Sequence, residues 1–184
     1  LIADINKLEK EDICILSIAS GSARAIIDIL PFIERKKSSV QISFLDKNSK
    51  ALEHSLKLTS KQTRANFQFR FLNDTASNFV KYYETDQKLD IIEMVGLLDY
   101  FDNEKVRQLF SLIYRKLADN GILITANIAD NRERPFVTNL IGWKMIYRKP
   151  EELIELAIEA GFRKENLEII FEPTMIHFIL IARK

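Results

Sequence analysis

The feature that most constrains this chain is an alternation. Seven apolar runs rich in β-branched and aromatic residues recur along it: "ICILSI" (13–18), "VQISFLD" (40–46), "FQFRFL" (67–72), "DIIEMV" (90–95), "GILITANI" (121–128), "LEIIFE" (167–172) and "IHFILIA" (176–182). Runs of this length and composition read as strands. Helical patterns long enough for crossover connections separate the first five. This order predicts an α/β fold with a mainly parallel sheet and helices on both faces. Only "EPT" (172–174) separates the last two runs, which predicts an antiparallel hairpin. At 184 residues the chain is read as one domain, 1–184, without internal repeats.

The helices between the strands carry end signals. Ser22 is expected to cap the first and Pro31 to stop or kink it. Asn48 or Ser49 caps the second, and Asp74 or Thr75 the third. The fourth shows one apolar stripe, Val106, Leu109, Phe110, Ile113 and Leu117, and is expected to end at Asn120-Gly121. The fifth starts at Pro150 and stops before Gly161. Residues 129–149 lack a clear period, as lids and binding loops often do.

Composition narrows the partners. Lys plus Arg is 27 and Asp plus Glu is 26, a net charge of +1, which argues against nucleic acid as the main partner. The best basic run, "RKK" at 35–37, reads as a solvated helix end. No apolar run approaches the roughly 20 residues that span a bilayer, so stable membrane insertion is not expected. Cys14 lies in an apolar run and reads as a buried small hydrophobe, and a cytoplasmic location is expected. The oligomeric state is not legible. The chain starts at Leu1 without an initiator Met, which suggests an excerpt from a longer protein.

In an open α/β sheet a ligand sits beyond the carboxyl ends of the strands, beside the first strand. Three turns converge there. "ASGSAR" (19–24) follows strand one; its small residues, Ala19, Ser20, Gly21 and Ser22, let backbone approach a ligand. Asp46 ends strand two and either accepts from both hydroxyls of a ribose or caps a helix. "LNDT" (72–75) follows strand three, where Asp74 either accepts from an adenine amine or caps a helix, with the Thr75 amide donating to the ring.

Together these residues resemble the class I S-adenosylmethionine-dependent methyltransferases over essentially the whole chain. "LSIASGSA" stands at the family's glycine-rich motif, "FLD" at the acidic end of strand two and "FLNDTA" at the adenine-contacting turn. "IIEMVGLLDYFD" resembles the strand-four motif, and "LADNGILIT" the turn into strand five. The resemblance implies a Rossmann-like sheet of order 3-2-1-4-5-7-6 with strand 7 antiparallel, and S-adenosyl-L-methionine as cofactor. It places Arg24, Lys47, Asn73, Val95 and Gly96 beside the turn residues in the cofactor site. The family usually has an acidic residue at Ser17 and glycines at Ala19 and Ala23. Ser17 cannot supply the charge that orders the methionyl end. Arg24 either helps at the cofactor carboxylate or pairs with Asp28 one turn away. "SGSAR", "GLLDYFDNEKVRQL", "ANIADN" and "WKMIYRKPEEL" are similar to a bacterial subgroup linked to 3-hydroxypalmitate methyl esters, whose members often carry an extra N-terminal domain.

The implied chemistry is in-line methyl transfer, in which the protein supplies position and electrostatics. A carboxylate acceptor needs no general base, and none stands out. His54 reads as a surface residue and His177 as a buried strand residue. No cluster has metal-ligand spacing. The acceptor pocket is expected at Tyr100, Asn127, Arg132, Arg134, Trp143, Tyr147 and Arg148, with Arg suited to a carboxylate and the aromatic rings to an apolar chain. Simple packing of Trp143 and Tyr147, or pairing of Arg148 with Glu151 or Glu152, is the other reading. Two other functional classes stay open: a non-catalytic binding module on the same fold, and a nucleotide-dependent oxidoreductase, against which the missing GxGxxG argues.

Overall fold

The computed structural model describes residues 2–8, 10–34, 39–62 and 64–184. The basic run at 35–37 lies outside the described residues. Every predicted strand forms: β1 (Asp12–Ile18), β2 (Ser39–Asp46), β3 (Phe67–Asn73), β4 (Leu89–Met94), β5 (Leu117–Ile128), β6 (Leu167–Phe171) and β7 (His177–Arg183). Among the described residues they make one sheet of order β3-β2-β1-β4-β5-β7-β6. The first five are parallel, and β7 runs antiparallel to both β5 and β6.

Side chains alternate across the sheet with period two. Ile13 and Ile15 pack under α1 (Ile2–Lys7), α2 (Arg24–Ile27) and α3 (Ser49–Thr59). Leu16 and Ile18 point the other way, toward α4 (Asn103–Lys116), α5 (Pro150–Glu159) and the 3₁₀ turns of Ala76–Tyr82. Helices thus lie on both faces, though unevenly. The α1–α3 cluster draws its strand residues from β1 to β4, and toward the far edge Ile170 on β6 is 41% exposed.

Three helix boundaries differ from expectation. Ser22 does not cap the first helix: Ala23 is the N-cap, left-handed and without a side-chain cap bond, and α2 is only four residues long. Pro31 sits inside a 3₁₀ turn, Leu30–Phe32. The third helix is 3₁₀, closed by three-residue bonds such as Asn78 N to Thr75 O. The fourth ends at Lys116, before Asn120-Gly121, because Leu117 already pairs with Leu89 in the sheet. Asn120 (φ 63°) instead lies inside β5, which pairs with β4 across an irregularity between Leu89 and Ile91. The second and fifth follow the sequence: the Asn48 side chain accepts from the Lys50 and Ala51 amides, and α5 opens on Pro150.

Candidate functional site

The carboxyl ends of β1, β2, β3 and β4 surround a cavity of about 410 Å³. Of the expected cofactor residues, Ala19, Asp46, Lys47, Asp74, Thr75 and Gly96 line it, and Tyr100 joins them from the expected substrate set. Leu45, Ala76, Leu97 and Phe101 complete an apolar wall that sequence reasoning missed. Those four carry no periodic signal of their own; they lie next to the predicted turn residues.

The first turn has three left-handed positions, and only one of them is a glycine. Ala19 (φ 54°), Gly21 (φ 52°) and Ala23 (φ 57°) are all left-handed. That conformation is cheap for glycine and costs about 1 kcal/mol or more for alanine. Ser20 Oγ is buried there without a hydrogen-bond partner. A Cβ built on Gly21 would meet nothing within 4 Å, so the space beside its Cα is open, while its carbonyl accepts from Ser55 Oγ at 3.2 Å.

Asp46 locks this turn to the next. Its Oδ2 accepts from the Gly21 amide at 2.8 Å and its Oδ1 from the Asn48 amide at 2.8 Å. It is not the helix cap; Asn48 is. A carboxylate has about four acceptor positions, so about two remain for a ligand hydroxyl pair. Behind it, Asn73 Nδ2 donates to the Asp46 carbonyl at 3.0 Å.

Asp74 is more heavily engaged. It accepts from the Thr75 amide (2.7 Å), Asn78 Nδ2 (2.8 Å) and Tyr82 OH (2.9 Å), and pairs with the Lys81 ammonium. Lys81, then Asn78 and the Thr75 amide, hold its carboxyl well below the usual carboxylate range. Thr75, not Asp74, is the N-cap of the 3₁₀ turns, and no side chain caps it; Asp74 instead gathers the side chains of Asn78, Lys81 and Tyr82 and takes up the Thr75 amide. Arg24 Nε donates to Asp28 Oδ2 at 3.1 Å with both side chains exposed. A pair of that kind is worth at most about 1 kcal/mol and releases easily.

The expected substrate residues divide. Trp143 Nε1 donates to Tyr100 OH at 3.0 Å, which brings the aromatic pair to the cavity rim. Arg134 stacks over the Tyr147 ring at 4.8 Å, and Arg132 is exposed on the same segment. Residues 144–149 are not helical, so Trp143 and Tyr147 do not share a helix face. Arg148 and Asn127 are buried, and their polar atoms bind protein groups. Neither Glu151 nor Glu152 is bonded to Arg148; Glu152 accepts from the Lys149 amide. His54 is exposed as expected, whereas His177 is exposed at the first position of β7, contrary to its expected burial. Among the described residues, no group of three or more His, Cys, Asp or Glu could hold a metal.

One buried polar pair was not anticipated. Ser17 Oγ donates to Glu93 Oε2 at 2.5 Å, between adjacent parallel strands. Glu93 stands inside the quoted strand-four run, and only the sheet pairing shows that it faces Ser17.

The sequence matches no family model. No curated protein matches it either. Its fold does match solved structures. A possible exported protein of Bordetella parapertussis shares 18% identity at a TM-score of 0.79, over 100% of this chain and 65% of that one. The CurJ carbon methyltransferase shares 16% at 0.74, over 97% and 50%. Magnesium protoporphyrin IX methyltransferase of Synechocystis PCC 6803, with bound S-adenosylhomocysteine, shares 14% at 0.67, over 94% and 74%. The chain spans about two thirds of the Bordetella protein and half of the CurJ enzyme. These likenesses show the fold alone: a Rossmann-like sheet of the architecture that methyltransferases share.

Proposed function

We propose that this chain is an S-adenosylmethionine-dependent methyltransferase acting on a small molecule with an apolar body, of the fatty-acid carboxylate kind. One observation carries the reading. Asp46, fixed by the Gly21 and Asn48 amides, borders a 410 Å³ cavity whose Leu45, Ala76, Leu97 and Phe101 walls suit a flat apolar ring. The residues present fit an adenosyl group: a carboxylate with acceptor positions left for ribose, an apolar slot for adenine, and a turn with a partnerless Ser20 hydroxyl. Solved structures of this fold include one holding S-adenosylhomocysteine.

The cofactor would supply a methyl group activated on a sulfonium. This chain's residues hold and orient. Asp46 fixes the ribose end, and the Ala19–Ala23 turn offers backbone to the amino-acid end. Tyr100 and Trp143 border the acceptor side. Phe136, Leu140 and Ile141, all more than half exposed, extend an apolar surface on the same segment as Trp143 and support an acceptor with a hydrocarbon portion. With a carboxylate acceptor no base is required. We also read the chain as cytoplasmic, on its single cysteine. Among the described residues no helix is long and apolar enough to cross a membrane.

Calorimetry with S-adenosylhomocysteine on the unmodified chain and on Asp46→Ala tests the reading. Loss of most binding in the variant is expected; unchanged binding would place the site elsewhere. Stabilisation by NAD in its stead would favour the oxidoreductase, since the tighter ligand stabilises the fold more. No binding of S-adenosylmethionine at millimolar concentration would favour a non-catalytic module.

A further inference from the structure

Beneath the Ala19–Ala23 turn lies a carboxylate that no cation among the described residues answers. Glu93 on β4 is 6% exposed and stands opposite Ser17 of β1 in the parallel register. The Ser17 hydroxyl donates to Oε2. That leaves most of its acceptor positions open. Among the described residues, no lysine, arginine or histidine forms an ion pair with it. Burial alone pushes its carboxyl up. An anion withdrawn from water without a cation is costly, so the site favours a positive group brought by a ligand.

The position matches that demand. Ser17 precedes Ala19 by two residues and Glu93 precedes Gly96 by three; Ala19 and Gly96 are cavity walls, and the buried Ser17–Glu93 pair does not itself line the cavity but sits on the two strands that carry those walls. Ser17 and Glu93 share the α2 side of the sheet with Ile15 and Ile91, the side on which the turn enters α2. The open acceptor positions suit a compact ammonium with its three donors; a sulfonium has none to offer.

We propose that Glu93 receives the ammonium of the ligand's amino-acid portion, with Ser17 aligning the carboxylate. The negative charge that β1 lacks at Ser17 is thereby supplied from β4. This rests on the adenosyl-cofactor reading and adds to it which residue anchors the amino-acid end.

The test compares two ligands on two proteins. S-adenosylhomocysteine carries the amino acid; 5′-methylthioadenosine keeps the adenosyl group and lacks it. Glu93→Gln keeps the size and removes the charge. By calorimetry it should weaken S-adenosylhomocysteine about tenfold or more while leaving 5′-methylthioadenosine within about twofold. Placing an aspartate on β1, as Ser17→Asp in the Glu93→Gln background, should restore part of the loss. Equal weakening of both ligands would mean that Glu93 only props the turn, and would overturn the assignment; so would no weakening of either. If the unmodified chain binds neither ligand, the adenosyl reading itself falls. If it binds both and their ratio survives Glu93→Gln, only the Glu93 assignment falls. Should Glu93→Gln fail to fold, deaminated S-adenosylhomocysteine on the unmodified chain decides. It should bind about tenfold more weakly than the parent, and equal affinity would overturn the proposal.

Discussion

Arg148 Nη1 donates to Asn127 Oδ1 at 2.7 Å, and the two residues brace the carboxyl end of β5. The same guanidinium reaches the carbonyl of Leu98 at 2.8 Å, the carbonyl of Phe101, and Asn103 Oδ1 at 2.9 Å. Four of its five N–H donors are used. Asn127 Nδ2 in turn donates to the Ile128 and Ile146 carbonyls, and Asp99 accepts from the Ile128 amide at 2.7 Å. The loop after β4, the end of β5 and the 144–149 segment are therefore tied at one buried point. A planar fork can serve these divergent acceptors; a single ammonium cannot.

Arg148→Lys should accordingly destabilise the fold by about 3 kcal/mol, because it strands buried carbonyls and a buried charge. For a chain of this size that is a fall in Tm of roughly 6–12 °C. Thermal unfolding followed by circular dichroism measures it. A shift no larger than a surface substitution gives, within about 0.5 kcal/mol, would show that the brace contributes little.

What was legible in the sequence follows from the range of the interactions. All seven strands were legible, because a buried strand is a local run of β-branched and aromatic residues. Asn48 and Pro150 were legible as helix ends because capping acts over three or four residues. The 3₁₀ form of Ala76–Tyr82 was not: Asp74 draws Asn78, Lys81 and Tyr82 toward itself, and periodicity does not encode that pull. That the first two turns border one cavity was legible because chain order alone puts them beside β1. The link between Gly21 and Asp46 spans 25 residues, and that between Ser17 and Glu93 spans 76. Contacts of that separation appear only when the sheet register is known. For the same reason Arg148 looked like a free carboxylate ligand, although its acceptors lie 21 to 50 residues away.

The left-handed alanines make a second prediction. Ala19 sits at φ 54°, where a Cβ is strained and glycine is not. Ala19→Gly relieves about 1–2 kcal/mol in the folded chain and gives back about 0.5–1 kcal/mol through the freer unfolded chain. A net gain of up to about 1 kcal/mol is expected, seen as a higher denaturant midpoint with an unchanged slope. A clear loss would mean that the Ala19 methyl packs usefully against the cavity wall. Ala23 is a poorer choice for this test, since it is 2% exposed and its methyl belongs to the core.

The terminal hairpin makes a third. Between β6 and β7, Glu172 accepts from the Thr174 hydroxyl and amide and from the Ile176 and His177 amides. Thr174 contributes most, and together these donors hold the Glu172 carboxyl down at about 2, against an ordinary value of 4.5. A carboxyl depressed in the folded state stabilises it fully above the unfolded value, and that contribution is lost as pH falls through the folded one. The wild type should therefore exceed Glu172→Gln in stability at pH 6, and the difference should shrink between pH 4.5 and pH 2. Melting curves of both proteins across that range provide the measurement. Amide exchange should show the loss first at Ile176 and His177, whose N–H groups lose their acceptor. A stability difference that stays constant down to pH 2 would mean that the four donors do not prefer the ionised carboxylate.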